Sequence, residues 1–335
     1  MTAQPIVGRS PEQEQFGASL HGLLAAADAP GAARRWAEGD RSPGLALWRK
    51  LAGVGVTALA VPPGSGGLGA GLADVVVACE ELGHHAVPGP VAESAAAVPE
   101  LITALADERV SARWLPGLAA GDLIATLALP PWLPYATDAD AAGLILLAEP
   151  GAVRLATAGT RHRSVDPARS LSQARGGEVL ARGPAVAGAV ARAREAGTVA
   201  CAAQLLGAGR ALLEASVLHA RQRSQFGRPI GSFQAVKHQL ADVAIGLEFA
   251  RPLLGEAAVT LTPRDVSAAK VACTGAAQRA ARAALQVHGA IGYTQEHDLH
   301  LWLTKVRALA GAWGSQAGHR ARVVAAIADR GLAWN

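Results

Sequence analysis

Apolar residues return every three to four positions over two long parts of the chain, and crowd into short runs in a third part between them. In "LWRKLAGVGVTALAV" and "LADVVVACEELGHHAV" the spacing predicts helices with one buried face. The glycine-rich "PPGSGGLGAG", Pro62 to Gly71, separates these two stretches. Residues 1 to about 112 therefore read as helices with one break. From about 113 to 190 the texture changes to "DLIATLALPPW", "AAGLILLAEPG", "AVRLATAG" and "GEVLARGP", short apolar runs punctuated by Pro, Gly and Asp. These predict roughly four or five strands of a small β-unit, too few for a closed barrel. From about 191 the helical period resumes. It predicts helices from Ala193 to near Arg223, from Phe233 toward Leu261, from Arg264 to Val287, and from His297 to Ile327 with an interruption around Gly311 to Gly318. Four long helices with short connections imply an antiparallel bundle. The expected architecture is mainly α with a small β-domain: a helical unit over 1–112, a β-unit over 113–190 and a helical bundle over 191–335.

Composition narrows the function classes. Half of the 335 residues are hydrophobic, enough for a sizeable packed core. The formal charge is +4, and no block of Lys and Arg is interleaved with aromatics, which argues against a nucleic-acid surface. No uninterrupted apolar run reaches the roughly 20 residues of a membrane span, and the N-terminus lacks the basic-then-apolar pattern of a secretory signal. Together these predict a cytoplasmic protein. Cys79, Cys201 and Cys273 lie far apart in apolar helical contexts, so they are expected to pack, with neither a disulfide framework nor metal spacing. No metal ligand is expected.

Gly64, Gly66 and Gly69 spell G-x-G-x-x-G, the pattern of a dinucleotide clamp. They follow Pro62–Pro63 inside a helical context, and the following stretch carries acids about 10 to 12 positions on, where the clamp expects roughly 20. The glycines are read as a loop between two helices.

The most distinctive segment is "RQRSQFGRPIGSFQAVKHQLADV", Arg221 to Val243. By itself it is a helix end, a Gly-Arg-Pro turn and a new helix, with Arg223, Arg228 and Lys237 around the turn. That is either an anion site or a plain connection with solvated charges. The segment resembles the signature of the acyl-CoA dehydrogenases, flavoenzymes that desaturate acyl-CoA thioesters. The likeness continues in "QVHGAIGYTQEHDLHLWLTKVR", Gln286 to Arg307, and in the N-terminal part from "LWRKLAG" through the Pro-Gly-Gly loop to "VPGP". "WLPGLAAGDLIATLAL", from Trp114, is similar to the start of that family's middle β-domain. The chain looks most like the short subunits of bacterial heteromeric enzymes that shorten steroid side chains.

The resemblance implies FAD as cofactor. It implies that Arg223, Gln225 and Phe226 touch the pyrophosphate and ring system across a subunit interface. Gln286 and Gly289 would hold the ADP half, with Ala290 standing in place of a second glycine. The family's catalytic base begins an E-G-[TS] triplet, which here reads Trp313-Gly314-Ser315, leaving Ser315 as a cofactor contact and an indole at the base position. A second base position used by some members falls on Gly197. Glu195 lies about 200° around the helix from there and is read as a solvated charge. Asp298 and Glu296 are read as helix caps. The family's T-E-P-x-x-G-S-D and W-[IV]-[ST] stretches are missing from the middle region, Trp132 is outside a matching context, and the domain looks shortened.

Trp313 is accordingly expected to fill the pocket that a carboxylate would serve. The expected function is a subunit of a heteromeric FAD-dependent acyl-CoA dehydrogenase, lacking its own base and sharing FAD with a related full-length subunit. Two alternatives stand beside it: a flavin-dependent monooxygenase on the same fold, and a self-contained dehydrogenase using Glu195 or His288 as base.

Overall fold

A computed structural model describes residues 8–294 and 297–328. Glu296, one of the expected caps, lies outside them. The N-terminal unit holds α1 (Pro11–Ala26), α2 (Ala29–Ala37), α3 (Ser42–Gly53), α4 (Leu72–His84), α5 (Val98–Leu105) and α6 (Glu108–Ala120). A capping box fixes the start of α1: the Ser10 hydroxyl accepts from the Gln13 backbone N–H, and the Gln13 side chain accepts from the Ser10 N–H. Between α3 and α4 the glycine-rich stretch turns back on its own backbone. Gly66 and Gly69 adopt φ of +81° and +59°, and a Cβ at Gly67 would overlap the Val61 carbonyl. These glycines serve tight backbone geometry, as expected of a loop.

The β-unit contains β1 (Ala125–Ala128), β2 (Ala136–Thr137), β3 (Leu144–Glu149), β4 (Ala152–Arg163) and β5 (Ser170–Arg182). Among the described residues they form a five-stranded sheet in the order β1-β3-β4-β5-β2, with β1 parallel to β3 and the other pairs antiparallel. β2 spans only two residues, too few to show any period in the sequence.

The C-terminal helices are α7 (Ala185–Gln222), α8 (Gln234–Thr260), α9 (Pro263–His288), α10 (Leu299–Gly311) and α11 (Gln316–Ala328). A short hairpin, β6 (Ser224–Gln225) with β7 (Arg228–Pro229), joins α7 to α8. α7 is the spine of the molecule and packs against α4, α5, α8, α9 and α10. It begins ahead of Ala193, because the Ala-rich turn from Ala185 is a strong helix former whose apolar period is weak. By length and mean hydropathy it passes for a membrane span, but 89% of its apolar window is buried inside the fold, as in the core helix of a globular protein. Gly83 on α4 and Gly207 on α7 bring those two backbones into contact: a Cβ at either would overlap the other helix's main chain. The three cysteines are free and buried, as expected.

Candidate functional site

The chain breaks between α10 and α11 at Ala312 to Ser315, and the break is held from inside. Trp313 adopts φ of +57° and Gly314 φ of +98°. His319 Nε2 lies 2.8 Å from the Trp313 carbonyl, which can only accept, so that nitrogen carries the proton and donates. His319 Nδ1 then accepts from the Ser267 hydroxyl at 3.1 Å. Burial pushes the His319 imidazole down to about 4, against the opposing pull of the Trp313 carbonyl.

This backbone turns the Trp313 indole inward until it is only 1% exposed. It rests on Gly197 of α7, where an added Cβ would fall 2.5 Å from Cζ3 and 2.6 Å from Cζ2. Trp132, from the loop after β1, closes the outer side. A Cβ on Gly314 would stand 2.6 Å from Trp132 Cε3, and the Trp132 and His319 rings are 5.6 Å apart. The Arg194 and Arg322 guanidiniums lie 5.2 Å and 5.1 Å from the Trp132 ring centre. Both also bond Glu195 Oε1, at 2.7 Å and 2.6 Å. Glu195 is only 4% exposed, so the solvated charge expected there is a buried ion triad. Burial comes from Trp132 and α11, neither of which is near in sequence.

Behind Trp313 remains a cavity of about 10 Å³, lined by Glu93, Asp166, Arg169, Gln204 and Lys305 among others. That is room for about one water. Glu93 begins a π-helical turn, Glu93–Ala97. Burial pushes its carboxyl above the usual carboxylate range, while the Thr137 hydroxyl donates to Oε1 at 3.2 Å. Lys305 Nζ donates to the Val87 carbonyl at 2.9 Å, and burial holds it below the ordinary lysine value. These polar groups are not evident from the order of residues. The only available signal was an acid inside the apolar "PVAESAAAVP".

The expected cofactor contacts divide. The β6–β7 hairpin carries Arg223, Gln225 and Phe226 on the surface, Phe226 at 92% exposure with φ of +53°. At the same end, His219 stacks on His288 with ring centres 4.3 Å apart, bringing the end of α7 beside the end of α9. Gln286 therefore stands near the hairpin, its Oε1 accepting from Gln239 Nε2 at 2.8 Å. Gly289 follows with φ of +63° and ψ of −140°, and open space where a Cβ would point. Ser315 does not join this group. It lies beside Trp313, where its hydroxyl accepts from the Gly318 N–H at 3.1 Å and caps α11. The helix from Gly197 to Arg223 spans about 39 Å at 1.5 Å per residue, so one chain holds the two groups far apart. His288 is at the hairpin end, distant from the Trp313 pocket. Asp298 takes the N-cap position of α10, but its carboxylate pairs with Arg34 and makes no cap hydrogen bond, correcting the expected cap.

Comparison with known proteins adds to this geometry. Residues 10–122 match the acyl-CoA dehydrogenase N-terminal domain, and residues 188–328 match the acyl-CoA dehydrogenase C-terminal domain. The chain belongs to the acyl-CoA dehydrogenase family. It is 34% identical over 302 residues to the acyl-CoA dehydrogenase IpdE2 of Mycobacterium tuberculosis, covering 88% of this chain and 90% of that one. Solved structures of acyl-CoA dehydrogenases share its fold. A glutaryl-CoA dehydrogenase from Mycobacterium smegmatis, in complex with FADH2, superposes with a TM-score of 0.82 at 18% identity, covering 96% of this chain and 95% of that one. The ChsE4–ChsE5 complex from Mycobacterium tuberculosis gives a TM-score of 0.81 at 24% identity, covering 96% and 99%. The mainly α, acyl-CoA dehydrogenase-like fold expected from the sequence is borne out.

Proposed function

We propose that this chain is a subunit of a heteromeric FAD-dependent acyl-CoA dehydrogenase, one that assembles with a related full-length subunit and leaves proton abstraction to it. The observation that carries this reading is the packing of Trp313 on Gly197. By resemblance, these are the two places where the family keeps its base, and here each is filled by the other.

Desaturation of a thioester needs an acceptor for the α-proton within hydrogen-bond reach. An indole offers only a donor, and glycine offers nothing. The cavity behind Trp313, about 10 Å³, has room for about one water. Glu195 gives no substitute: two guanidiniums hold Oε1, and Oε2, although unpartnered among the described residues, is sealed from a ligand by burial. His288 sits at the other end of the bundle.

What the chain does present is the far end. FAD, when bound, supplies the acceptor for the β-hydride. Arg223 would pair with its pyrophosphate, Phe226 offers an uncovered apolar face, and Gly289 lets a phosphate approach main chain without a Cβ in the way. These groups point out of the molecule, and about 39 Å of α7 separates them from this chain's own pocket position. They fit a flavin seated in another chain. A heteromer is also what the ChsE4–ChsE5 structure contains.

The test is flavin absorbance and acyl-CoA oxidation by the chain purified alone and after co-expression with a full-length family member. The expected result is a colourless, inactive chain and a yellow, active complex. Stoichiometric flavin with turnover in the lone chain would overturn the reading.

A further inference from the structure

A cluster of His21, Glu81, His84 and His85 stands apart from everything the desaturation reaction uses. Glu81 and His84 fall three residues apart in "EELGHH", the Glu-x-x-His spacing by which helices present metal ligands on one face, and His85 follows four residues after Glu81. α1 supplies His21. The contact of α4 with α7 through Gly83 and Gly207 fixes the face on which the group sits.

The three imidazoles crowd together, with ring centres 4.9 Å, 4.6 Å and 4.8 Å apart. His21 Nδ1 lies 3.0 Å from Glu81 Oε2 and 3.2 Å from His85 Nε2. Two facing ring nitrogens cannot both carry a hydrogen at that distance, and a carboxylate oxygen carries none. Three lone-pair atoms thus converge where at most one proton fits. His84 adds a fourth. Its Nε2 faces Glu214 Oε2 at 2.9 Å, which assigns the proton to Nε2. That leaves Nδ1 a bare acceptor, buried and without a hydrogen-bond partner among the described residues.

We propose that His21, Glu81, His84 and His85 form a binding site for a divalent transition-metal ion of zinc type. One donor atom from each of the four lies within 4.8 Å of all the others. Bonds of about 2.0–2.1 Å to a tetrahedral zinc ion set its ligands about 3.3 Å apart. The two contacts at His21, 3.0 Å and 3.2 Å, are already near that spacing. Three imidazoles and one carboxylate suit zinc and cobalt, and oxygen-seeking magnesium or calcium poorly. Arg210 holds Glu81 by Oε1 at 2.8 Å, which leaves Oε2 for the ion. Glu214 fixes the tautomer of His84, as carboxylates do for metal-bound histidines. A surface cleft lined by His84, His85, Glu214 and Trp302 gives the ion a way in. With four protein ligands the site is a structural one, clamping α1 to α4.

The test uses the protein in its complex, stripped with a chelator, dialysed, and loaded with Zn²⁺ or Co²⁺. The expected result is one ion per chain, with visible cobalt bands of tetrahedral nitrogen-rich coordination and a melting temperature raised by Zn²⁺. His84→Gln and His85→Gln should abolish the bands. Glu214→Gln, at a half-exposed position that leaves every ligand in place, should weaken binding about 10- to 100-fold. His238→Gln, at an exposed position on α8, should leave the ion bound. Absence of a stoichiometric ion overturns the proposal, as does an ion lost with His238→Gln and kept with His84→Gln.

Discussion

The benzene ring of the Trp313 indole lies directly on Gly197, so close that a methyl group on that glycine would stand 2.5 Å from Cζ3. The pair is complementary in size: the widest side chain is buried against the residue that has none. Each position excludes a carboxylate at the other, because an acid at 197 would collide with the indole and the indole already occupies 313.

Gly197→Ala should therefore destabilise the chain, although alanine is the better helix former by about 1 kcal/mol. Overpacking of about 1–3 kcal/mol is the larger effect. Urea unfolding reads the difference, and Trp313→Leu in the same molecule should recover part of it. A single variant as stable as the parent would show that the two groups do not touch.

Glu195→Gln should leave the turnover of the complex unchanged while lowering stability. The variant keeps the shape of the side chain and removes the charge that Arg194 and Arg322 share. Both arginines are partly exposed, so the loss should be about 1–3 kcal/mol, below that of a fully buried pair. A collapse of kcat in a folded variant would instead make Glu195 the base.

Arg223→Ala should release flavin from the complex. Losing one charge-assisted hydrogen bond costs about 1.5–3 kcal/mol, or roughly 10- to 100-fold in affinity. Because Arg223 is on the surface, thermal unfolding of the lone chain should not move. Unchanged flavin content after dialysis would place the cofactor elsewhere.

Acid should weaken the fold through His319. Its imidazole titrates near 6.5 when unfolded and is pushed down to about 4 by burial in the folded chain. Between those values the unfolded state binds the extra proton, so stability is full above about pH 6.5 and is lost as pH falls toward 4. One such group sets a slope of at most about 1.4 kcal/mol per pH unit. His319→Asn should flatten the fall in unfolding midpoint across this window. An identical slope in the variant would assign the effect to other groups.

Much of this was legible in the residues. The helical period located α8 and α9 to within a residue or two, and the break after Gly311 appeared as a run of small residues. The Arg-Ser-Gln-Phe-Gly turn and the Gln286 segment carried the family likeness. Glu195 reads as a solvated charge from its own stretch, because the groups packed around it, Trp132 and Arg322, come from other parts of the chain.

From the order of residues alone it follows that no acid occupies 197 or 313, and that an arginine-bearing turn precedes α8, because identity and backbone period are local properties. That positions 197 and 313 touch was decided only when α7 and the α10–α11 break packed together. The same holds for Trp132 closing over them, for the hairpin and Gly289 sharing one end of the bundle, and for three histidines from two helices converging on one carboxylate. Contacts between distant segments depend on how helices cross and how closely glycines let them approach, and no stretch of sequence records that distance.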